Sequence, residues 1–276
     1  MTDAPVAMTD RAALCRARRR ARQAGGEALF LHRLARDGIE ERLSMVNRPL
    51  RDVAVVTGHP QAWRDLRPGA RLVEDAPLLD LAPGSCDLVV HAMALHWAED
   101  PVGQLVQCRR ALRPDGLCLA VFFGGTTLSE LRASLAEAEA ALTGGLSPRI
   151  LPMGEIRQLG ALLQRAGLSL PVADAERHAV QYRSVLHLMQ DLRAMGETNA
   201  LAARPRGFTR RDVMLEAARR YPGAPEGPVQ ATFELVTLTG WAPDASQPRP
   251  LRPGSAAARL ADALNVSESP LPDTGN

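Results

Sequence analysis

The chain has 276 residues, of which 46% are hydrophobic, so it is long enough for one large α/β core with an elaboration or for two modest domains. Its formal net charge of +2 gives no overall indication of nucleic-acid binding. All 33 basic residues are arginine, which excludes mechanisms that need a lysine nucleophile. The four cysteines form no CxxC pair, and the chain has neither a long apolar run nor a signal-peptide core. We therefore expect a reduced, cytoplasmic setting and no transmembrane segment.

Residues 1–50 predict a basic helical segment, with Gly25 and Gly26 separating two helices. Its arginine run consists of Arg16, Arg18, Arg19, Arg20 and Arg22. Such a run can bind an acidic partner or a membrane face, but it is more typical of a solvated helix face, which we expect here.

Residues 51–242 predict an α/β domain. Strands are expected at 52–58, 71–75, 87–94 and 117–123, where valine, leucine and other apolar residues cluster. Asp100 and Pro101 have the residue types of a helix start, and this helix should end before Pro114. The alternation of strands and helices predicts a doubly wound, mostly parallel sheet.

Beyond Phe123 the pattern becomes helical. Leucines and alanines at helical spacing predict helices over 128–142 and over 156–163, the second ending at Gly167. Strands are expected at 179–182 and 232–239, with helices near 184–195 and 209–220 between them. Residues 243–276 are rich in proline, serine and glycine and predict a flexible tail, in which 255–264 could form one short helix.

Four stretches resemble a class I S-adenosylmethionine (SAM) methyltransferase. They are Val53–Pro60, Asp87–Val90, Leu95–Trp97 and Leu112–Gly125. The resemblance implies a Rossmann-like sheet that ends in an antiparallel pair of strands. It also implies that the helical insertion at about 183–228 caps the site.

A more specific resemblance is to the family of complex I assembly factor 5. The matching stretches are Leu95–Trp97, Leu112–Gly116, Phe123–Arg132, Gly144–Pro148, Leu159–Gly167, Met189–Asn199 and Thr239–Trp241. They extend over about residues 10 to 242. The resemblance implies a role in maturing a quinone-reducing NADH dehydrogenase, with a protein subunit as the partner. For the eukaryotic relative this role is hydroxylation of an arginine on a subunit.

The chain departs from this pattern where SAM, the implied cofactor, should bind. A cofactor loop after the first strand needs glycines so that backbone N–H groups can approach the ligand. Here Gly58 alone lies between Thr57 and His59, and Pro60 removes a donor. The interval up to the strand at 87–94 is also too short for two further strands with their helices, since one strand–helix–strand unit takes roughly 30 residues. Asp75 could bind the ribose hydroxyls or could be an ordinary solvated loop acid.

The candidate cofactor-binding residues are Thr57, Gly58, Asp75, His96 and Trp97, and the candidate substrate-binding residues are Gly124, Gly125, Thr126, Glu130 and Arg132. Both sets follow predicted strands, at the edge where open α/β sheets bind ligands. Trp97 could stack on a ring or belong to the core. Glu130 could face a substrate or form a helix capping box with Thr127.

Three functions remain open from the sequence. The first is a SAM-dependent enzyme with an unusual cofactor loop that acts on a protein subunit. The second is an arginine-hydroxylating assembly factor, which would require an oxygen-activating metal centre. His96 and Glu99 offer only a weak pairing for a metal, so no metal site is expected. The third is a catalytically silent assembly chaperone. No catalytic residue is assigned, because SAM itself supplies the chemistry of methyl transfer.

Overall fold

A six-stranded sheet forms the centre of the computed structural model, which describes residues 7–25, 28–224 and 227–248. Strands β1 to β6 span Val53–Thr57, Arg71–Val73, Cys86–Ala92, Leu112–Phe123, Ser169–Tyr182 and Val229–Trp241. Their order across the sheet is β2-β1-β3-β4-β6-β5. The first four in that order are parallel, β6 is antiparallel to β4, and β5 is antiparallel to β6. The expected class I methyltransferase architecture is confirmed.

Eight α-helices occur in the described part of the chain. Helices α1 to α8 span Arg11–Gln23, Phe30–Ser44, Pro60–Trp63, Pro101–Ala111, Ser129–Thr143, Ile156–Arg165, Val185–Met195 and Arg211–Arg220. Short polar side chains cap several of them. Asp100 accepts a hydrogen bond from the N–H of Gly103 at 2.8 Å, as its residue type and the following proline predict. None of the described helices is long and apolar enough to cross a membrane.

The sheet is shortened at the β2 edge. Between β1 and β3 the chain forms one four-residue helix, α3, and one three-residue strand, β2. The sequence interval predicted room for a single strand there, and the structure confirms it. Because β2 pairs directly with β1, Asp75 follows the strand whose end carries the ribose-binding acid in such folds.

Three strands are longer than the sequence predicts, and β6 exceeds its predicted range of 232–239 by a few residues at each end. Strand β4 begins at Leu112 because Leu112 pairs with Cys86 across a register shift, so the strand extends through Pro114. Strand β5 begins at Ser169, although only 179–182 has an apolar pattern. It is an edge strand with mostly exposed side chains, and β6 pairs with it along nearly its whole length. Backbone pairing, rather than hydrophobic alternation, defines this strand.

Apolar side chains are buried on both faces of the sheet. One cluster lies under α2, α5, α7 and α8 and contains Ile39, Trp63 and Phe233, and the other lies under α4 and α6 and contains Leu105 and Leu163. The described residues up to Asp244 form one compact unit. The prediction of a flexible tail with one short helix mostly concerns residues 249–276, which lie outside the described residues.

Candidate functional site

The candidate cofactor site lies at the carboxyl ends of the parallel strands β1, β2 and β3. Thr57 is the last residue of β1, and Asp75 lies two residues beyond β2. His96 and Trp97 belong to a 3₁₀ turn, Leu95–Trp97, that follows β3. All of the predicted cofactor-binding residues are therefore at one edge of the sheet. We call the space between them the cofactor cleft.

The loop after β1 lies directly against helix α1. The N–H of His59 donates to Oγ1 of Thr57 at 3.1 Å, and both residues are buried. Gly58 faces α1 so closely that a Cβ at this position would lie 2.4 Å from Cζ of Arg18. The glycine therefore makes room for an arginine of the same chain.

Arg18 and Asp75 form a buried ion pair in the cofactor cleft. Nη1 of Arg18 donates to both carboxylate oxygens, at 2.7 and 2.6 Å, and the two side chains are 3% and 5% exposed. Nη1 of Arg11 lies 3.3 Å from the same carboxylate. Burial raises the pKa of Asp75, but the charge and hydrogen bonds of Arg18 outweigh burial and hold this pKa below its usual value. The prediction of a solvated arginine face is wrong for Arg18, whereas Arg16 and Arg19 are exposed.

Two cavities flank Asp75 in the cofactor cleft. On one side of Asp75 is a cavity of about 300 Å³ between α1 and the loop after β1, and on the other is a cavity of about 100 Å³ that reaches His91 and Gln104. A bound nucleoside would need free carboxylate oxygens for its ribose and an open glycine-rich backbone. Both oxygens of Asp75 are bound by Arg18, and Arg18 also covers Gly58.

Three buried histidines lie near this cleft. Nε1 of Trp63 donates to Nδ1 of His32 at 3.0 Å, and the rings of His32 and His59 are 4.7 Å apart. Burial lowers the pKa of His59 and of His91 to about 4 and lowers the pKa of His32 well below its usual value. These side chains are therefore neutral at pH 7.

A third cavity, which we call the cap pocket, lies beyond the end of β4. Its volume is about 260 Å³. The lining includes the aromatic residues Trp97, Phe123 and Phe233, the methionines Met153, Met189 and Met214, and the polar residues Arg149, Glu197, Asn199 and Thr209. Helices α7 and α8, which lie within the predicted insertion at about 183–228, supply one wall.

Glu197 gives the cap pocket a negative charge. Its Oε2 accepts a hydrogen bond from Nε1 of Trp97 at 2.8 Å and lies 3.4 Å from Nε2 of His96. Its Oε1 is buried and has no hydrogen-bond partner in the described part of the chain. Burial raises the pKa of Glu197, but His96, Arg18 and Trp97 together lower it to about 2. A buried, ionised carboxylate thus has one oxygen free.

Arg149, the other charged residue of the cap pocket, is already paired. Its Nη2 lies 2.6 Å from Oε1 of Glu139, and its Nη1 donates to Oγ1 of Thr209 at 2.8 Å. The Arg149 guanidinium, with burial opposing it, lowers the pKa of Glu139 to about 2. This pair is neutral as a unit, so Arg149 adds no net charge to the pocket.

The predicted substrate-binding residues lie beside the cap pocket and make contacts within the protein. Oε2 of Glu234 would lie 2.5 Å from a Cβ at Gly124, and it accepts a hydrogen bond from the N–H of Thr126 at 3.1 Å. A Cβ at Gly125 would lie 3.3 Å from the carbonyl oxygen of Gly154. The five candidates, from Gly124 to Arg132, are not part of the pocket lining.

The capping box predicted for Thr127 and Glu130 is not formed. Helix α5 begins at Ser129 after Leu128, which has a φ of 55° and makes no side-chain cap. Oγ1 of Thr127 instead pairs with the backbone of Glu234, and the Glu130 carboxylate accepts hydrogen bonds from the N–H and hydroxyl of Thr232. Both side chains are hydrogen-bonded to strand β6, which is distant in sequence, so the local spacing did not predict their partners.

Arg132 and the histidine–glutamate pair are likewise used within the protein. Nη2 of Arg132 lies 3.5 Å from the carbonyl oxygens of Thr127 and Leu151. The Glu99 carboxylate accepts hydrogen bonds from the backbone N–H groups of Met8 and Thr9, and does not meet His96. Among the described residues, no group of three or more histidine, cysteine, aspartate or glutamate side chains could hold a metal ion.

Comparison with known proteins gives the family. The model of the methyltransferase domain family matches residues 46–120. The chain is 36% identical over 204 residues to the mitochondrial arginine-hydroxylase NDUFAF5 of Danio rerio, covering 73% of this chain and 63% of that protein. It is 37% identical to the human protein of the same name, over 72% of this chain and 59% of that one. The chain thus spans about three fifths of the length of these curated relatives.

Two further similarities concern methyltransferases. A malonyl-[acyl-carrier protein] O-methyltransferase of Laribacter hongkongensis is 34% identical over 68% of this chain and 62% of its own. A solved structure of a methyltransferase from Bacillus halodurans aligns with 11% identity and a TM-score of 0.48, over 75% of this chain and 98% of that one. With a methyltransferase-type sheet and these sequence relatives, the chain belongs to the family of complex I assembly factor 5.

Proposed function

We propose that this protein binds an arginine side chain of a protein partner in the cap pocket during assembly of respiratory complex I, and that it does so without SAM. The observation that carries the proposal is Glu197, a buried and ionised carboxylate with an unpartnered oxygen in a pocket lined by aromatic rings. Leaving such an acceptor unpaired costs about 1–3 kcal/mol or more. A ligand with N–H donors would remove that cost.

The chemistry of the cap pocket matches a guanidinium group. A carboxylate is the preferred acceptor for its N–H donors, and aromatic faces stack on its plane. Trp97, Phe123 and Phe233 supply such faces. Pockets for drug-sized ligands measure about 300–1,000 Å³. The cap pocket, at about 260 Å³, suits a single side chain.

The choice of arginine as the ligand, and of a complex I subunit as the partner, rests on the relatives. The proteins from Danio rerio and Homo sapiens are both named arginine-hydroxylase. The likeness to a malonyl-[acyl-carrier protein] O-methyltransferase points to a different reaction, but that reaction needs a cofactor which the cleft beside Arg18 and Asp75 does not fit. A subunit of complex I is therefore the proposed partner, and the cap pocket is its proposed point of contact.

The test uses peptides that tile the quinone-site subunits of the organism's own complex I. Each arginine-containing peptide is synthesised with arginine and with citrulline, which has nearly the same shape but no charge. We expect at least one arginine peptide to bind at least 10-fold more tightly than its citrulline form. Glu197→Gln should abolish that preference, while Glu155→Gln, on the exposed surface before α6, should keep it. Equal affinities for arginine and citrulline forms in the native protein would sink the proposal.

Oxidation of the bound arginine is a separate question with a separate measurement. Mass spectrometry of complex I subunits from cells with and without this protein should show whether one arginine gains the mass of an oxygen atom. A gain that depends on Glu197 would make the protein a hydroxylating factor. Identical peptides would leave binding as its role.

A further inference from the structure

We infer that helix α1 is a permanent occupant of the cofactor cleft, in which the guanidinium of Arg18 takes the place of a nucleoside ribose. The inference concerns a different part of the protein from the cap pocket, and it can fail independently of arginine binding. Three groups of contacts support it: those of the guanidinium, those of the glycines around it, and those that hold the residues immediately before α1.

The guanidinium contacts replace those that a ribose would make. A ribose presents hydroxyl donors to the carboxylate after the second strand. Here the carboxylate of Asp75 receives the N–H donors of Arg18 and Arg11 instead. The pair is 3% and 5% exposed, so both charges are removed from water and each depends on the other.

Two glycines admit α1 to the cleft. At Gly58 a Cβ would lie 2.4 Å from the guanidinium carbon of Arg18. At Gly196, which has a φ of +83°, a Cβ would lie 3.2 Å from Cα of Arg18 and 3.3 Å from Cβ of Ala21. One glycine follows β1 and the other ends α7. Helix α1 therefore packs against both elements at positions where a Cβ would come into close contact with it.

The residues immediately before α1 are fixed by a separate set of contacts. Thr9 forms an antiparallel bridge with Leu201, and the N–H of Asp10 donates to the carbonyl oxygen of Ala200 at 2.7 Å. The Asp10 carboxylate also accepts hydrogen bonds from Arg204 at 2.9 Å and from Arg206 at 3.0 Å. A mobile lid would make few such contacts in the residues that precede it. Helix α1 is instead held along its length, which is why it acts as part of the fold.

Two measurements on the native chain test the inference. Calorimetric titration with SAM and with S-adenosylhomocysteine should give no binding heat up to millimolar ligand. Hydrogen exchange should show backbone amides of α1 protected to the same degree as those of β1, with no change when SAM is added. Micromolar SAM binding, or faster exchange of α1 in the presence of SAM, would overturn the inference.

A pair of variants tests the role of Arg18 itself. Arg18→Ala should raise the exchange rates of α1 amides at least 10-fold relative to those of β1. Arg19→Ala, one residue further along the same helix and exposed, should leave them unchanged. Equal protection of α1 in the native chain and in Arg18→Ala would show that Arg18 does not hold the helix and would refute the assignment. The native measurements decide the question even where the variant does not fold.

Discussion

Replacing Arg18 by methionine should destabilise the protein, because the carboxylate of Asp75 then stays buried without its main partner. Removing one member of a buried ion pair costs about 3–5 kcal/mol. Arg11 remains 3.3 Å from the carboxylate, with a side chain that is 27% exposed, and it compensates in part. We therefore expect the free energy of unfolding to fall by about 3 kcal/mol, the lower end of that range. In a unit of this size the melting temperature should fall by roughly 6–12 °C.

A double replacement separates the charge effect from the packing effect. Replacing both members of a buried pair by apolar residues is often neutral, because no uncompensated charge remains. Arg18→Met combined with Asp75→Leu should therefore be more stable than Arg18→Met alone, with a coupling free energy of about 1–3 kcal/mol. Arg19→Met is the matched control, since Arg19 is exposed on the same helix and should change stability by less than about 0.5 kcal/mol.

Urea unfolding at neutral pH, followed by circular dichroism, measures five proteins on one scale. They are the native chain, Arg18→Met, Asp75→Leu, the double variant and Arg19→Met, and the two single variants at Arg18 and Asp75 are needed to obtain the coupling free energy. The slope of the unfolding transition should be the same in each variant, because the surface exposed on unfolding hardly changes. Our account of the ion pair is refuted if Arg18→Met loses no more stability than Arg19→Met, or if the two replacements in the double variant add without coupling. Either result would mean that Asp75 does not depend on Arg18.

Three further predictions concern acidity, α1 packing and the cap pocket. The three buried histidines (His32, His59, His91) have lowered pKa values in the folded state, so their contribution to stability is complete above about pH 6.5 and is lost as the pH falls toward 4. The free energy of unfolding should therefore decrease from pH 7 to pH 5, by up to about 1.4 kcal/mol per histidine and pH unit. The urea midpoint should decrease with it, and a constant midpoint would contradict neutral burial. Gly196→Ala should lower the free energy of unfolding by about 1–3 kcal/mol more than Gly144→Ala does, as measured by urea unfolding. Both glycines have positive φ, but only Gly196 packs against α1. Glu197→Gln should weaken binding of an arginine peptide roughly 10- to 100-fold, the value of a hydrogen bond to a charged group; titration calorimetry measures it, and an unchanged affinity would rule out contact.

The sheet was predictable because its signals are local and strong. Strands β1 and β3 are runs of valine and other apolar residues between polar ones, and α4 starts with an aspartate and a proline whose roles do not depend on the rest of the fold. The missing strand could also be predicted, since the chain between Gly58 and Asp87 is too short to hold it. The strand at 179–182 was predicted, but the extension of β5 back to Ser169 could not be, because pairing with β6 stabilises that part without an apolar face.

The site was harder to predict because its key contacts join distant parts of the chain. Arg18 meets Asp75 across 57 positions, and nothing in the arginine run distinguishes Arg18 from its exposed neighbours. Glu197 lies in a stretch that matches the family, yet its role depends on Trp97, 100 positions earlier. Thr127 and Glu130 show the opposite error, in which a local pattern suggested contacts that do not form. Their spacing suggested a helix cap, but both side chains are hydrogen-bonded to β6.

Under the two proposals above, Asp75 and Glu197 together explain how the protein can lose one ligand site and keep another. Both are buried carboxylates with pKa values below the usual range, so both stay ionised at neutral pH. A buried charge is tolerated only when it is paired. The Asp75 carboxylate is already paired within the chain, so the hydroxyl groups of a cofactor would not be needed to compensate its charge. Glu197 keeps one oxygen without a partner, so its charge is only partly compensated in the protein alone. The same physical rule that makes Asp75 structural therefore makes Glu197 the acid that we propose binds a cation from a partner.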